Sequence, residues 1–188
     1  STLEPGDEAV VMIPNYMQVA GLARSIGANV KLLPLHEELG WAIDPDELRK
    51  MVTDKTKLIA VCNPNNPTGV YLPHEEVQAL AQACAEAGAL LVVDEAYLNF
   101  VDSPWDSLDL LEGSNTVLLR SMTKDYALTG LRLGYSLASP EITARLTSFQ
   151  PDWSVNGLAQ KAAISALEDA GYLPRARDAV FRAKKYLS

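Results

Sequence analysis

The sequence predicts an α/β protein of three layers, in which helices cover both faces of a mostly parallel sheet. Short apolar runs alternate with amphipathic segments along the 188 residues, and no internal repeat or low-complexity tract interrupts this alternation. Alternating strands and helices favour parallel β-α-β units. Apolar residues make up 48% of the chain, which is enough to bury the core of one ordinary domain.

Six apolar runs are expected to form the strands of the sheet. Each is short and is bounded by turn-forming or helical segments, as is typical of buried strands. They are Ala9–Ile13, Val30–Leu33, Leu58–Val61, Leu90–Asp94, Val117–Arg120 and Leu133–Ala138.

The helices between these strands have recognisable ends. Capping residues and prolines predict starts at Asp44-Pro45, at Pro73 with Glu75 and Glu76, and at Ser139-Pro140-Glu141. Gly88 is expected to end the second of these helices. A further helix should run from Asn156 to about Ala170, and a last one from Pro174 through Arg182.

Charge and cysteine usage exclude several classes of function. The formal net charge is −8, and no run of basic residues could follow a nucleic-acid backbone. No apolar stretch approaches the roughly 20 residues of a membrane span. Cys62 and Cys84 lie 22 residues apart without metal-ligand spacing. We expect a soluble, cytoplasmic protein with two reduced, buried thiols and no metal site.

The first motif with chemical potential is NPNNPTG, from Asn63 to Gly69, directly after the third expected strand. Asn, Pro and Gly are turn residues, so a purely structural loop is one interpretation. Ligands of open α/β sheets, however, bind at the carboxyl ends of strands, where this loop lies. On that interpretation Asn66 offers its side-chain amide to a ligand oxygen.

The second motif is VVDEAY, from Val92 to Tyr97, at the end of the fourth expected strand. A buried aspartate there requires a cationic partner or a hydrogen-bond donor. Asp94 is therefore either a cap of the following turn or the partner of a protonated ring nitrogen. In the second case Tyr97 would place its hydroxyl on the same ligand.

The third motif is SMTKDYALTGLRLGY, from Ser121 to Tyr135, after the fifth expected strand. Ser121, Thr123 and Arg132 form a set suited to an anion, with two hydroxyls and one guanidinium. A lone lysine is usually a solvated surface charge. Lys124 instead lies among apolar positions and close to a cation, a setting that makes an amine nucleophilic toward carbonyls. We expect the adjacent Asp125 to point to solvent.

The three motifs together resemble fold-type I pyridoxal 5'-phosphate (PLP) enzymes of aminotransferase class I/II, and within them the branch of histidinol-phosphate aminotransferase and threonine-phosphate decarboxylase. The motif spacing contributes to the resemblance: 28 residues separate Asn66 from Asp94, 30 separate Asp94 from Lys124, and 8 separate Lys124 from Arg132. The segments PGDEAVVMIPNY and WSVNGLAQKAAISAL extend it over essentially the whole chain.

The resemblance implies catalytic roles for three residues. Lys124 matches the lysine that forms the Schiff base with PLP and shuttles the α proton of the substrate. Asp94 matches the carboxylate that keeps the ring nitrogen protonated. Tyr97 matches a donor to the phenolic oxygen of the ring.

The resemblance also implies cofactor contacts for five further residues. Asn66 matches the second donor to the phenolic oxygen, and Tyr16 the aromatic ring that stacks on the pyridine. Ser121 and Arg132 match phosphate ligands, with Thr123 as a third. Asn156 is expected only to cap its helix.

The same resemblance implies how the chain is organised. Residues 1–172 are expected to form the large PLP-binding domain, incomplete at its N-terminal side, and residues 173–188 the helix that leads to a small C-terminal domain. The residue that binds the substrate carboxylate, and a strand flanking Leu133–Ala138, are expected outside this sequence. A homodimer acting on an amino acid and a 2-oxo acid in amino-acid biosynthesis is implied. PLP-dependent decarboxylation or elimination, and a fragment that does not catalyse, remain as alternatives.

Overall fold

Six strands form one sheet in the computed structural model, which describes residues 3–113 and 115–187. The strands are β1 (Glu8–Ile13), β2 (Asn29–Pro34), β3 (Thr56–Cys62), β4 (Leu90–Asp94), β5 (Thr116–Ser121) and β6 (Gly134–Ala138). All six predicted strands are confirmed, with ends shifted by at most two residues. The outer limits of the expected domain division, residues 1 and 188, lie outside the described residues.

The strand order is β2-β1-β3-β4-β5-β6, and every pairing is parallel except the antiparallel pair of β5 and β6. The predicted mostly parallel sheet is therefore confirmed. β2 lies on one side of β1, and β3 and the later strands lie on the other side. The strand order therefore reverses between β1 and β3. Ligand clefts of open parallel sheets form at such a reversal, beyond the carboxyl ends of the strands.

Helices connect the strands and continue beyond the last one. They are α1 (Gln18–Ser25), α2 (Pro45–Met51), α3 (His74–Ala87), α4 (Pro140–Ser148), α5 (Gly157–Glu168) and α6 (Tyr172–Leu187). Short 3-10 helices lie at Glu37–Leu39, Leu98–Phe100, Ser107–Leu111 and Thr129–Leu131. No helix within the described ranges is both long and apolar enough to cross a membrane.

The predicted helix ends have a physical basis in side-chain caps. Asp44 accepts hydrogen bonds from the first amides of α2, and Ser139 and Asn156 do the same for α4 and α5. Gly88 ends α3 in the left-handed conformation with φ 65°. The last helix differs from the prediction, since it begins two residues before Pro174. Proline is tolerated within the first turn of a helix, so it did not mark the start.

The core lies between the central strands and the helices that cover them. Its largest buried side chains on the strands alternate along β1, β3, β4 and β5, and they include Val10, Met12, Ile59, Leu91, Val93 and Leu118. The edge strand β6 is much more exposed than these four. In the described part of the chain β6 pairs with β5 alone.

The β5–β6 pairing depends on Gly134. A Cβ atom at this position would lie 2.8 Å from the carbonyl oxygen of Arg120, which is closer than van der Waals contact allows. We predict that Gly134→Ala lowers the free energy of unfolding by about 1–3 kcal/mol, the usual cost of overpacking. Thermal denaturation would measure the change.

Gly130→Ala is the matched control for this variant. A Cβ atom at Gly130 meets no heavy atom within 4 Å, and this glycine belongs to the same connection between β5 and β6. Equal melting temperatures for the two variants would contradict the proposed role of Gly134.

Candidate functional site

A cleft of about 320 Å³ opens at the carboxyl ends of β3, β4 and β5. The loops that follow β1, β3, β4 and β5 contribute to its wall. All eight side chains singled out from the sequence line this cleft, and they are Tyr16, Asn66, Asp94, Tyr97, Ser121, Thr123, Lys124 and Arg132. The structure thus brings together residues that lie up to 116 positions apart, from Tyr16 to Arg132.

The loop after β3 uses its asparagines in different ways. The Asn63 side chain accepts a hydrogen bond from the amide of Leu72 at 2.7 Å, and the Asn65 side chain accepts one from the Thr68 hydroxyl at 2.7 Å. These two side chains are buried and fix the loop. Asn66 lines the cleft, and its side-chain amide makes no hydrogen bond to any described residue. The structural interpretation of the motif therefore applies to Asn63 and Asn65, while Asn66 lines the cleft.

The loop after β4 presents Asp94 to the cleft. One carboxylate oxygen accepts a hydrogen bond from the amide of Ala96 at 3.0 Å. The other oxygen has no hydrogen-bond donor or ion-pair partner among residues 3–113 and 115–187. Burial raises the pKa of Asp94, while the Ala96 amide and the charge of Lys124 act in the opposite direction. Asp94 is a turn cap with one carboxylate oxygen to spare.

The loop after β5 carries Lys124 at the mouth of the cleft. Its Nζ donates a hydrogen bond to the Thr123 hydroxyl at 3.1 Å and lies 6.0 Å from the centroid of the Tyr97 ring. The expectation of apolar surroundings is wrong for this side chain, which is exposed. The cleft opens to solvent at this point, whereas the preceding residues Met122 and Thr123 are buried.

The predicted anion-binding set is only partly pre-assembled. The hydroxyls of Ser121 and Thr123 lie 2.8 Å apart, and the Thr123 amide donates to Ser121 Oγ at 3.2 Å. Arg132 is exposed and donates to the carbonyl oxygen of Thr129 at 3.1 Å. Its backbone is left-handed with φ 53°, which is uncommon outside glycine and typical of residues held for a function.

Tyr16 lies at the open side of the cleft, where 53% of it is exposed. Its amide donates a hydrogen bond to Oδ1 of Asn15 at 2.6 Å, which fixes the backbone just after β1. The exposed ring is available to cover a flat ligand. Stacking of this kind is worth about 0.5–1.5 kcal/mol beyond the buried area.

Cys62 also lines the cleft, although the sequence marked it only as a buried thiol. Its position one residue before Asn63, at the end of β3, is the signal that would have placed it there. Burial raises the pKa of Cys62 to about 11, and its sulfur donates to the Pro64 carbonyl oxygen at 3.2 Å. The prediction of two free, buried cysteines is confirmed for Cys62 and Cys84.

An ion pair between Arg120, which lines the cleft, and the buried Glu95 was missed at the sequence level. Arg120 Nε donates to Glu95 at 2.9 Å, and the Glu95 side chain is only 1% exposed. A second guanidinium nitrogen of Arg120 donates to the Ser107 hydroxyl at 3.1 Å. Each member of the pair is adjacent in sequence to a cleft residue, Asp94 or Ser121.

The expectation for Asp125 is wrong. This residue is 6% exposed and does not face solvent. Its carboxylate accepts hydrogen bonds from the side-chain amide of Asn99 and from the amide of Tyr126. These two donors replace water, although burial still raises the pKa of Asp125.

Comparisons with known proteins converge on one family. The family model described as aminotransferase class I and II matches residues 1–188. Histidinol-phosphate aminotransferase of Symbiobacterium thermophilum is 37% identical over 98% of this chain, and aromatic amino acid aminotransferase of Rhodococcus jostii is 36% identical over 98%. The chain covers 50% and 51% of these two proteins, so it spans about half the length of the curated relatives it matches.

A solved structure supports the same grouping. Aspartate aminotransferase from Thermus thermophilus with maleate superposes with a TM-score of 0.87 at 31% identity. The match covers 96% of this chain and 49% of that protein. The fold described above is therefore the fold of a known enzyme.

One carboxylate oxygen of Asp94 has no partner among the described residues, and this leads to a prediction on stability. Because its folded pKa is raised, the charged form destabilises the ligand-free protein at neutral pH. We predict that Asp94→Asn raises the melting temperature at pH 7, by about 2–4 °C for each kcal/mol of charge burial relieved. The gain should shrink as the pH falls towards about 4, because the carboxyl group of the folded protein is then protonated and that of the unfolded chain is about half protonated.

Asp152→Asn is the control, because Asp152 is exposed. Melting curves of both variants from pH 4 to pH 8 would test the prediction. An unchanged or lowered melting temperature for Asp94→Asn at pH 7 would contradict it.

Proposed function

The chain belongs to the aminotransferase class I and II family, and we propose that it forms the cofactor-binding part of an enzyme that moves an amino group from an amino acid to a 2-oxo acid with the help of PLP. The observation that carries the proposal is the single cleft that gathers an amine, a carboxylate with one spare oxygen, two hydroxyls and a guanidinium.

The cleft fits the chemical groups of PLP one by one. The spare oxygen of Asp94 suits a protonated ring nitrogen, because that charge would offset the cost of burying the carboxylate. The free amide of Asn66 and the hydroxyl of Tyr97 suit the phenolic oxygen. Ser121, Thr123 and Arg132 suit the phosphate.

PLP, when bound, supplies an electron sink for the bonds at the substrate Cα atom. Asp94 would hold the proton on the ring nitrogen that makes this sink effective. Among residues 3–113 and 115–187, Lys124 is the lysine that lines the cleft, so its Nζ would hold the cofactor covalently. The same nitrogen, when free, would accept the proton from the substrate Cα atom.

The hydroxyls and the guanidinium anchor the cofactor and so orient it. Thr123 is already bonded to both Ser121 and Lys124, which joins the anchor to the reacting amine in one hydrogen-bond chain. Tyr16 covers the open face of the cleft, where its ring would pack on the pyridine and exclude water. Tyr97 lies beside Lys124, and its hydroxyl would donate to the phenolic oxygen of PLP.

The relatives support transamination of the histidinol-phosphate aminotransferase kind. The names of the proteins compared above refer to different substrates, but all of them are aminotransferases. We also propose that the protein that carries this chain acts as a homodimer in the cytoplasm. We also include a large domain over residues 1–172, followed by a helix that leads to a smaller domain.

The covalent attachment point is directly testable. We predict that borohydride reduction of the PLP-loaded protein places the label on Lys124, because no other lysine of the described residues lines the cleft. Peptide mass spectrometry would locate the label. Lys124→Arg keeps the positive charge and should take no label. A label on any other lysine would reject the assignment.

Asp94 provides the second functional test. We predict that Asp94→Asn lowers the kcat for transamination by the complete protein that carries this chain by about 100-fold or more, because a preorganised charge is removed. PLP should stay bound through its phosphate contacts. Formation of the 2-oxo acid product and the absorbance of bound PLP would measure the two effects. Near-normal turnover would show that Asp94 only caps its turn, and release of carbon dioxide in place of a 2-oxo acid would reject transamination.

A further inference from the structure

Two side chains outside the cleft link the loop of Tyr97 to the loop of Lys124. Asn99 lies two residues beyond Tyr97, and Asp125 directly follows Lys124. The side-chain amide of Asn99 donates a hydrogen bond to one carboxylate oxygen of Asp125. Neither Asn99 nor Asp125 lines the cleft.

Burial makes this hydrogen bond consequential. Asp125 is 6% exposed, so water cannot readily replace a lost donor. Its second oxygen is already engaged by the Tyr126 amide at 2.9 Å. Removing one donor from a buried carboxylate leaves part of its charge unsatisfied, which is far more costly than losing a hydrogen bond at the surface.

Each end of the link is attached to its own packed segment. Asn99 belongs to the 3-10 helix Leu98–Phe100, and the residue that follows this helix accepts a hydrogen bond at 2.9 Å from Arg177 of α6. The Tyr126 ring, next to Asp125, stacks on Tyr172 of α6 with ring centroids 5.6 Å apart. The link therefore joins two segments that each pack against the same helix.

We propose that Asn99 and Asp125 are positioning residues that hold Lys124 Nζ beside Tyr97 in the orientation needed for covalent attachment of the cofactor. This inference rests on the proposed function. A purely structural alternative exists, because Asp125 also caps its own turn through the Tyr126 amide. On this alternative the hydrogen bond from Asn99 to Asp125 affects the melting temperature but not the rate of cofactor attachment.

Exchange of the two residues separates these possibilities. Asn99→Asp places two carboxyl groups together and removes the donor. The double variant Asn99→Asp/Asp125→Asn restores one amide and one carboxylate with the direction of the hydrogen bond reversed. Asn99→Ala removes the donor without adding charge and serves as a second variant if Asn99→Asp does not fold.

The measurement is the rate at which PLP attaches to Lys124 in the complete, cofactor-free protein that carries this chain, trapped with borohydride and read by mass spectrometry. Melting temperature is recorded in parallel. We expect Asn99→Asp to slow attachment by about 10- to 100-fold, in line with the effect of misplacing a reacting group, and the double variant to recover most of the rate. Asp109→Asn, an exposed change in the 3-10 helix Ser107–Leu111, should match the parent.

The outcomes are distinct. If the parent protein attaches no PLP to Lys124, the proposed function fails and the inference fails with it. If the parent attaches PLP but Asn99→Asp and Asn99→Ala do so at the parent rate, the inference alone is overturned. It is also overturned if the double variant melts like the parent but remains as slow as Asn99→Asp.

Discussion

Parallel pairing of β1, β3, β4 and β5 places the carboxyl ends of four strands along one edge of the sheet, and the rest of the site depends on this constraint. The register sets Cys62 opposite Asp94, and Asp94 opposite Leu119. Loops that leave these strand ends therefore start within a few ångströms of one another. Buried apolar side chains of the central strands hold the register, since a slip of one residue would turn each of them to the other face.

The cleft contrasts with the scaffold in how its polar groups are satisfied. Glu95 is almost fully buried and is paired with Arg120, whereas the neighbouring Asp94 keeps one oxygen without a partner in the part of the chain that the structure describes. Two adjacent carboxylates thus have different environments, and burial raises the pKa of the one that faces the cleft. Such a difference is how a fold assigns different tasks to like groups. It accords with the proposed partnership between Asp94 and a ring nitrogen.

Local sequence patterns predicted the fold and the cleft residues well, because both depend on signals within single segments. Apolar runs located the strands, and caps such as Asp44 and Asn156 located the helices. Burial of individual polar side chains was less predictable, because it depends on segments far apart in the chain. Asp125 was expected in solvent, yet a donor 26 residues away makes its burial possible. Lys124 was expected among apolar groups, yet the loops leave it exposed.

Three pairs of consecutive polar residues show how the scaffold supports the cleft. The pairs are Asp94-Glu95, Arg120-Ser121 and Lys124-Asp125. At least one member of each pair lines the cleft, and one member makes a side-chain hydrogen bond to a residue from another segment. At strand ends this division follows from the alternation of side chains between the two faces. Lys124-Asp125 lies in a turn, where alternation does not apply, and the hydrogen bond from Asn99 performs the same task. On the proposal for Asn99 and Asp125, loss of such a partner would displace the neighbouring cleft residue even where the partner, like Asn99, lies outside the cleft.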